Sequence, residues 1–596
     1  MWTFIFILQK PVFLLVYGGL GHIAQVIWHG LPLDMSMAGY LAAVPALVIL
    51  AGTLPFLYGP RTGKWLKGIA AAWTAAAAII VATAFTANIA LYGYWRFPLD
   101  STPLFFLSSS PSAAMASVEW WQAVLGIAAI IIIAALICAA FHLLWQKSAS
   151  DIFITKPSRW QWLPQLLLTA LLFLPIRGGV TVSTMNTGRA YFSQTETLNH
   201  AAVNPLLSFM ESVAHSEDFA DMYRFMNDAE AHRLFRAMAV HSAGNRPRLK
   251  LLTGNRQTGN PDIYIVILES FSDTLTRQPG VTPNLNAAGD EGTSFSNFYA
   301  NGFRTDRGLV SILLGYPAPG SLSLMKYPRK TARIPSLASH LKKAGYDLHY
   351  YYGGDADFTN MRSFLVNQGF EKITEDIDFP VADRISKWGV PDHLLFRRVM
   401  ADIKQRRGSK PAFTVIQTSS SHEPFDVACH RLKNKKLNAF AYTDSCIGAF
   451  TRFMKTQKSW KNTLVIFVPD HLGAWPDEID NFSLWHFHIP MVWTGGRARA
   501  HTVVDVFGSQ QDIAATVLGQ LGIAHGDMPF SKDIADPAIT HYAYFMPNDG
   551  FGMTDGRNAV VYDNKQRRTV LLKGNKKYVK QGQAVLQVIF DDIAGR

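Results

Sequence analysis

A chain of 596 residues is too long for a single domain, and two or three are expected. Its net charge of +12 is spread as +5 over the first 180 residues and +7 over the rest, so no segment has the dense basic face of a nucleic-acid binder, and the mild excess suits anionic lipid head groups better. Three cysteines exclude a disulfide-rich scaffold: Cys138 lies in an apolar run, while Cys429 and Cys446 fit either one exported disulfide or two separate thiols.

The hydrophobic content of 49% is uneven: the first 180 residues hold nine Lys/Arg and four Asp/Glu, the remaining 416 hold 47 and 40. Five apolar runs fall in that first part, roughly Pro11–Trp28, Ala38–Tyr58, Gly68–Trp95, Ala123–Trp145 and Trp160–Ile176. Each approaches or exceeds the ~20 residues that cross ~30 Å of hydrocarbon, and Trp28, Trp95, Trp145 and Trp160 mark run ends as an aromatic belt would. In a five-span reading Lys10, Arg61, Lys64, Lys67, Lys147, Lys156 and Arg159 share one side and Arg96 alone lies in the short loops of the other. That seven-to-one bias places the N-terminus in the cytoplasm and everything after Arg177 outside the cytoplasmic membrane.

Residues 181–260 read as a connector, with a helix opened by Pro205 and an amphipathic helical stretch in EDFADMYRFMNDAEAHRLFRAMAV. From Asp262 the pattern changes. DIYIVIL, DLHYYYG, AFTVIQTSS and TLVIFVP are strand-like runs separated by helical ones such as IPSLASHLKKAG and DHLLFRRVMADIKQ. Such alternation predicts a mostly parallel sheet covered on both faces, with its site at the carboxyl ends of the strands. The tail from about Asn558 (AVVYDN, RTVLLKG, KKYVKQG) reads as hairpins.

Three residues stand at those strand ends. Asp470-His471 directly follows TLVIFVP, and a carboxylate beside an imidazole is a common cation-binding pair. Glu269 ends the first strand and offers another oxygen; such carboxylates are costly to bury unpaired. Thr305 lies in NGFRTDRGLVSILLGYP, where Asn301-Gly302 signals a turn and LVSILLG a helix. A Thr there serves as an N-cap, or as a cation-activated nucleophile toward a phosphate drawn to the helix N-terminus.

The ordered set VILES, FRTDRG, FTNMRSF, SSSHEPF and VPDHLG resembles the lipoteichoic acid synthase branch of the alkaline phosphatase/sulfatase superfamily. That resemblance implies an N-terminal five-helix transmembrane domain plus an α/β/α sandwich catalytic domain of the alkaline phosphatase/sulfatase type. The divisions are a membrane part at 1–180, the connector at 181–260, the catalytic domain at 261–545 and a C-terminal β-hairpin subdomain at 546–596. It implies Glu269, Thr305, Asp470 and His471 as ligands of one divalent ion, Mn²⁺ foremost and Zn²⁺ or Mg²⁺ otherwise. Thr305 becomes the nucleophile that transiently carries a phospholipid head-group phosphate. Arg362 would grip phosphate with its fork and His422 would donate a proton or bind an oxygen. The implied donor is phosphatidylglycerol or phosphatidylethanolamine, and the acceptor is a hydroxyl of a glycan or glycolipid.

Two departures draw the pattern toward the phosphoglycerol and phosphoethanolamine transferases of Gram-negative bacteria: Tyr352 stands where lipoteichoic acid synthases carry His, and Thr359-Asn360-Met361-Arg362 replaces their Trp-x-Arg. A sulfatase proper needs Cys or Ser in C/S-x-P-x-R, and the chain has Thr305-Asp306-Arg307-Gly308. The competing readings are a phosphodiesterase-type hydrolase on the same site and an inactive membrane-anchored binding protein. His486 and His488, in LWHFHIP, read as packing residues.

Overall fold

The computed structural model describes residues 1–57, 59–101, 103–104, 120–148, 156–181, 183–214, 219, 222–239, 248–254, 259–320, 322–477, 480, 482–548 and 550–596. They fall into two compact units, Met1–Glu217 and Asp218–Arg596.

In the first unit, three helical stretches are long and apolar enough to cross a membrane: Leu20–Gly52, Pro60–Gly93 and Trp120–Leu144. Trp2–Tyr17 and Trp162–Arg177 are apolar but shorter, so two of the five expected spans fall below the ~20-residue requirement. The first two runs are also redrawn. Gly18 and Gly19, the latter at φ +74°, end the opening helix inside the expected span Pro11–Trp28, and the next helix, Ile23–Gly52, takes in the rest. Ile127, Ile131, Ile132 and Leu136 are exposed on the helix Trp120–Ser148, the face expected of a helix in lipid. Trp28 and Trp160 are exposed, whereas the side chains of Trp95 and Trp145 lie outside the described residues.

Lys10 is not a loop charge. It is fully buried, 3.2 Å from Asp34 Oδ2, and donates to Ala202 O at 2.8 Å; Asn204 donates to Asp34 Oδ1 at 2.9 Å. Without it six of those charges remain on that side against Arg96, with Arg61, Lys64 and Lys67 in the first turns of the helix Pro60–Trp95. Pro205–Ala214 is the helix expected from its opening proline. The helix expected in EDFADMYRFMND begins only at Asp228, with Glu217, Asp218, Ala220 and Asp221 outside the described residues.

The second unit is built on an eight-stranded sheet. Its strands are β1 (Asp262–Leu268), β2 (Thr293–Phe295), β4 (Asp347–Tyr352), β5 (Lys372–Thr374), β6 (Ala412–Gln417), β7 (Thr463–Pro469), β8 (Met491–Thr494) and β9 (Thr502–Val504), with β3 (Phe298–Tyr299) and β10 (Gly508–Ser509) paired apart. The order is β5-β4-β6-β1-β7-β8-β2-β9. The five strands from β5 to β7 run parallel, and β8 joins antiparallel, giving a mixed sheet with a parallel centre.

Alternation along β1 explains why its sequence is apolar throughout. Ile263, Ile265 and Ile267 join one core with Phe413, Val415, Leu464 and Ile466, while Tyr264, Val266 and Leu268 join a second with Ile416, Val465 and Phe467. Both faces are covered by helices, so neither can be polar. Because β1, β6 and β7 are parallel and in register (Ile267 beside Gln417, Leu268 beside Pro469), their carboxyl ends open level with one another.

The tail differs from the hairpins expected. β11 (Ala543–Phe545), β12 (Gly550–Thr554), β13 (Ala559–Asp563) and β14 (Arg568–Lys573) form an antiparallel sheet, but KKYVKQG opens a helix, Lys577–Gly595. Ala584, Val585, Val588, Ile589 and Ile593 recur at helical spacing on its buried side, and that periodicity overrides the charged start.

Candidate active site

Glu269 leaves β1 into a turn made by its neighbours. Its N–H donates to Thr418 Oγ1 at 3.0 Å, and its carbonyl accepts from Ser421 Oγ at 2.7 Å, both from the segment after β6. Ser270 holds an unusual backbone, φ +62°, and this turns its hydroxyl back to donate to Glu269 Oε1 at 2.7 Å while its N–H donates to Asp470 Oδ1 at 2.9 Å. One residue thus aims both carboxylates. A side chain at Gly473 would meet Ser270 Oγ at 2.5 Å, so a glycine two residues past His471 is required by that turn.

Asp470 and His471 follow β7. Ligand-type atoms of Glu269, Asp470 and His471 lie within 4.8 Å of one another. His471 Nδ1 sits 2.9 Å from Leu472 O, which places a proton there and leaves Nε2 facing Asp470 Oδ2 at 3.5 Å and Glu269 Oε1 at 3.6 Å. Asp470 Oδ2 is buried without a hydrogen-bond partner. Burial first, and then the Glu269 carboxylate, push Asp470 up to about 7. Burial opposes a charge on His471, but Asp470 and Glu269 outweigh it and hold its pKa above the ordinary value. Two carboxylates and an imidazole lone pair converging on one buried point, one oxygen orphaned, is a donor set completed by a divalent cation.

Thr305 is the first residue of the helix Thr305–Leu314, with Arg304 in the N-cap position; the N-cap reading of Thr305 does not hold. Its half-buried hydroxyl donates toward Glu269 Oε2 across 3.4 Å. Two devices place this helix start against the β7 end. A Cβ on Gly308 would stand 2.3 Å from Asp470 O. Gln510 Nε2 donates to Pro469 O and Asp470 O, both at 2.7 Å, while its Oε1 accepts from Asn301 N–H at 2.9 Å. Free N–H groups at the helix start give an oxyanion or phosphate a place beside the Thr305 hydroxyl.

His422 follows Ser421 on the same turn, its ring 4.2 Å from that of Trp388; burial holds its pKa below the ordinary value. The Arg362 guanidinium donates through Nε to Asp357 Oδ1 at 2.5 Å and through Nη2 to Glu375 Oε1 and Oε2 at 2.5 and 2.7 Å, which pairs it with two carboxylates of its own domain. Tyr352 is buried, and burial followed by the Glu269 charge holds its phenol far above the usual range. His486 is buried with burial pressing it down to about 4, and His488 bridges Asp273 (3.4 Å) and Ser296 O (2.8 Å). Cys429 and Cys446 are separate thiols. Ser270 and Gln510 carried no signal in the sequence.

Residues 261–523 match the family described as Sulfatase. Phosphoglycerol transferase I of Xanthomonas campestris pv. campestris is 28% identical over 281 residues, 43% of this chain and 40% of the relative, so the chain spans about two fifths of that protein's length. A protein in the alkaline phosphatase superfamily from Vibrio parahaemolyticus superposes with TM-score 0.55 at 24% identity, covering 63% of this chain and 97% of its own. The lipoteichoic acid synthase LtaP from Listeria monocytogenes gives TM-score 0.50 at 19% identity, covering 62% and 99%. Both likenesses are of fold.

Proposed function

We propose that this chain, whose residues 261–523 match the family described as Sulfatase, is a membrane-anchored phosphotransferase that moves the phosphoglycerol head group of a phospholipid to a hydroxyl of a glycan or glycolipid outside the cytoplasmic membrane. The observation that carries the reading is the Thr305 hydroxyl at a helix start, 3.4 Å from Glu269, beside the buried Glu269–Asp470–His471 cluster. In this reading 1–180 is the membrane part, 181–260 the connector, 261–545 the catalytic domain and 546–596 its C-terminal subdomain. The name of the Xanthomonas relative supports phosphoglycerol over phosphoethanolamine. The six-to-one charge bias supports the orientation.

Thr305 Oγ attacks the phosphorus in line; the Oγ–P bond forms as the bond from phosphorus to the diacylglycerol oxygen breaks. The Thr305 proton leaves toward Glu269 Oε2, to which the hydroxyl already donates, and the departing diacylglycerol oxygen, which accepts a hydrogen bond from neutral His422, takes up a proton from water. The acceptor hydroxyl then attacks the phosphothreonine and gives its proton to water as the Oγ–P bond breaks, and Thr305 Oγ takes back the proton held at Glu269 Oε2. Glu269, Asp470 and His471, with Thr305, would hold a divalent ion, and their mixture of oxygen donors with a single nitrogen suits Mn²⁺, Zn²⁺ or Mg²⁺. Bound there, it supplies Lewis-acid charge that lowers the hydroxyl's pKa and offsets charge on the phosphoryl oxygens. Arg362 stiffens the segment after β4 through Asp357 and Glu375.

The test uses purified full-length protein with labelled phosphatidylglycerol and phosphatidylethanolamine, with and without glycan acceptors. Acceptor-dependent transfer of glycerol phosphate is expected. Release to water at the same rate without any acceptor would favour the hydrolase.

A further inference from the structure

Exposed large apolar side chains in the described part of the second unit gather mainly in two stretches, Val570, Leu571 and Leu572 on the edge strand β14 at 36–40% and the far more exposed Ile377 (65%), Val381 (78%) and Ile385 (66%). The loop that bears them, residues 376–389, is firmly held. Asp376 N–H donates to Gly354 O at 3.1 Å and Val390 N–H to Gly353 O at 2.7 Å. The Arg384 guanidinium donates to the carbonyls of Ile377 and Phe379 at 3.1 and 3.0 Å, closing the loop on itself. Phe379 is buried beneath it, and the Trp388 indole N–H donates to Glu423 O at 2.6 Å. The chain therefore turns Phe379 inward and Ile377, Val381 and Ile385 outward in a fixed shape.

Position gives this shape its meaning. Gly353 and Gly354 continue β4, and Glu423 adjoins His422, whose ring packs against Trp388. The base of the loop is thus tied to the segments that follow β4 and β6, on the carboxyl-end side of the sheet where Thr305 lies. Scattered exposed aliphatics need no explanation, but a rigid group of them beside a reaction centre marks a contact surface.

We propose that the 376–389 loop is a membrane-docking surface, its tips Ile377, Val381 and Ile385 seated at the boundary between head groups and acyl chains so that a lipid phosphate is presented to Thr305. The occupant is the bilayer because this chain carries helices able to cross one, so a lipid surface is present at high effective concentration. The inference rests on the phospholipid-donor reading and adds how the donor is reached. Asp376, Asp378 and Asp383 stand against Arg384 and Lys387 on the loop, so docking is apolar rather than electrostatic and is insensitive to salt and to the share of anionic lipid.

The experiment uses the full chain in nanodiscs, with Cys138 and Cys429 replaced by Ser and an environment-sensitive fluorophore on Val381→Cys or on Val503→Cys. Val503 is 70% exposed on the edge strand β9 and serves as the control. Doxyl-labelled lipid should quench the label at 381 and leave that at 503 bright; equal, weak quenching at both sites overturns the proposal. In parallel, Val381→Ser with Ile385→Ser should slow transfer from long-chain phosphatidylglycerol in nanodiscs at least about tenfold, leaving the rate on a monomeric short-chain analogue unchanged. Equal loss on both donors also overturns it. Quenching at 381 with wild type inert on both donors would sink the transferase reading while the docking surface stands.

Discussion

Gly308→Ala separates the geometry of the site from the stability of the fold. The new methyl would stand 2.3 Å from Asp470 O and 2.8 Å from Asp470 C and Cα, against an ordinary contact that begins at 3.4 Å. These are backbone atoms at the end of a central strand, and the carbonyl is also held by Gln510, so no side chain can swing aside. The helix carrying Thr305 must retreat by about 1 Å, the scale of misplacement that costs ~10²-fold in rate. Overpacking costs about 1–3 kcal/mol, while Ala gains about 1 kcal/mol over Gly inside a helix, so the net loss of stability is about 0–2 kcal/mol. Initial rates on labelled phosphatidylglycerol and thermal unfolding of the full chain in detergent measure the two effects. Gly289→Ala is the control, since its nearest foreign atom, Val492 Cγ2, lies at 3.4 Å. The expected result is a rate near one hundredth of wild type for Gly308→Ala with a small melting shift, and neither effect for Gly289→Ala. A Gly308→Ala rate within about threefold of wild type would refute the claim that this close approach sets the Thr305 position.

Ser270→Ala should weaken divalent-metal binding by about 10–100-fold, read by metal titration, while changing stability by only about 1 kcal/mol. Lys10→Met leaves Asp34 buried without its cation and should cost about 3–5 kcal/mol in detergent melts, much of it recovered when Asp34→Leu is added. Unchanged stability in the single variant would show that the pair is not buried in the folded membrane unit. Chelation should abolish transfer, and Mn²⁺ should restore it; full activity in metal-free protein would remove the role given to Glu269, Asp470 and His471.

Much of the centre was legible because it lies where local patterns end. Glu269, Asp470 and His471 each close an apolar run, and parallel strands bring run ends together. Thr305 announced itself through the Asn301-Gly302 turn and the helix behind it. What stayed hidden depends on contacts between distant parts of the chain. Arg362 reads as an anion grip until Asp357 and Glu375 fold around it. Lys10 reads as a loop charge because its partners, Asp34 and Ala202, lie far along the sequence. Ser270 and Gln510 act on Asp470 from far along the chain, which no local pattern announces. The last helix reads as a hairpin because KKYVKQG is charged, while the apolar repeat that fixes it begins only at Ala584.

The central claim is a covalent intermediate on Thr305. Full-length protein incubated with phosphatidylglycerol, quenched in acid and digested should yield the peptide containing Thr305 with the added mass of glycerol phosphate. Thr305→Ala should give no adduct and lose more than about 10³-fold in rate, beyond the loss typical of a single stabilising donor. An adduct on another residue, or a Thr305→Ala variant retaining more than about a tenth of the rate, would contradict the account.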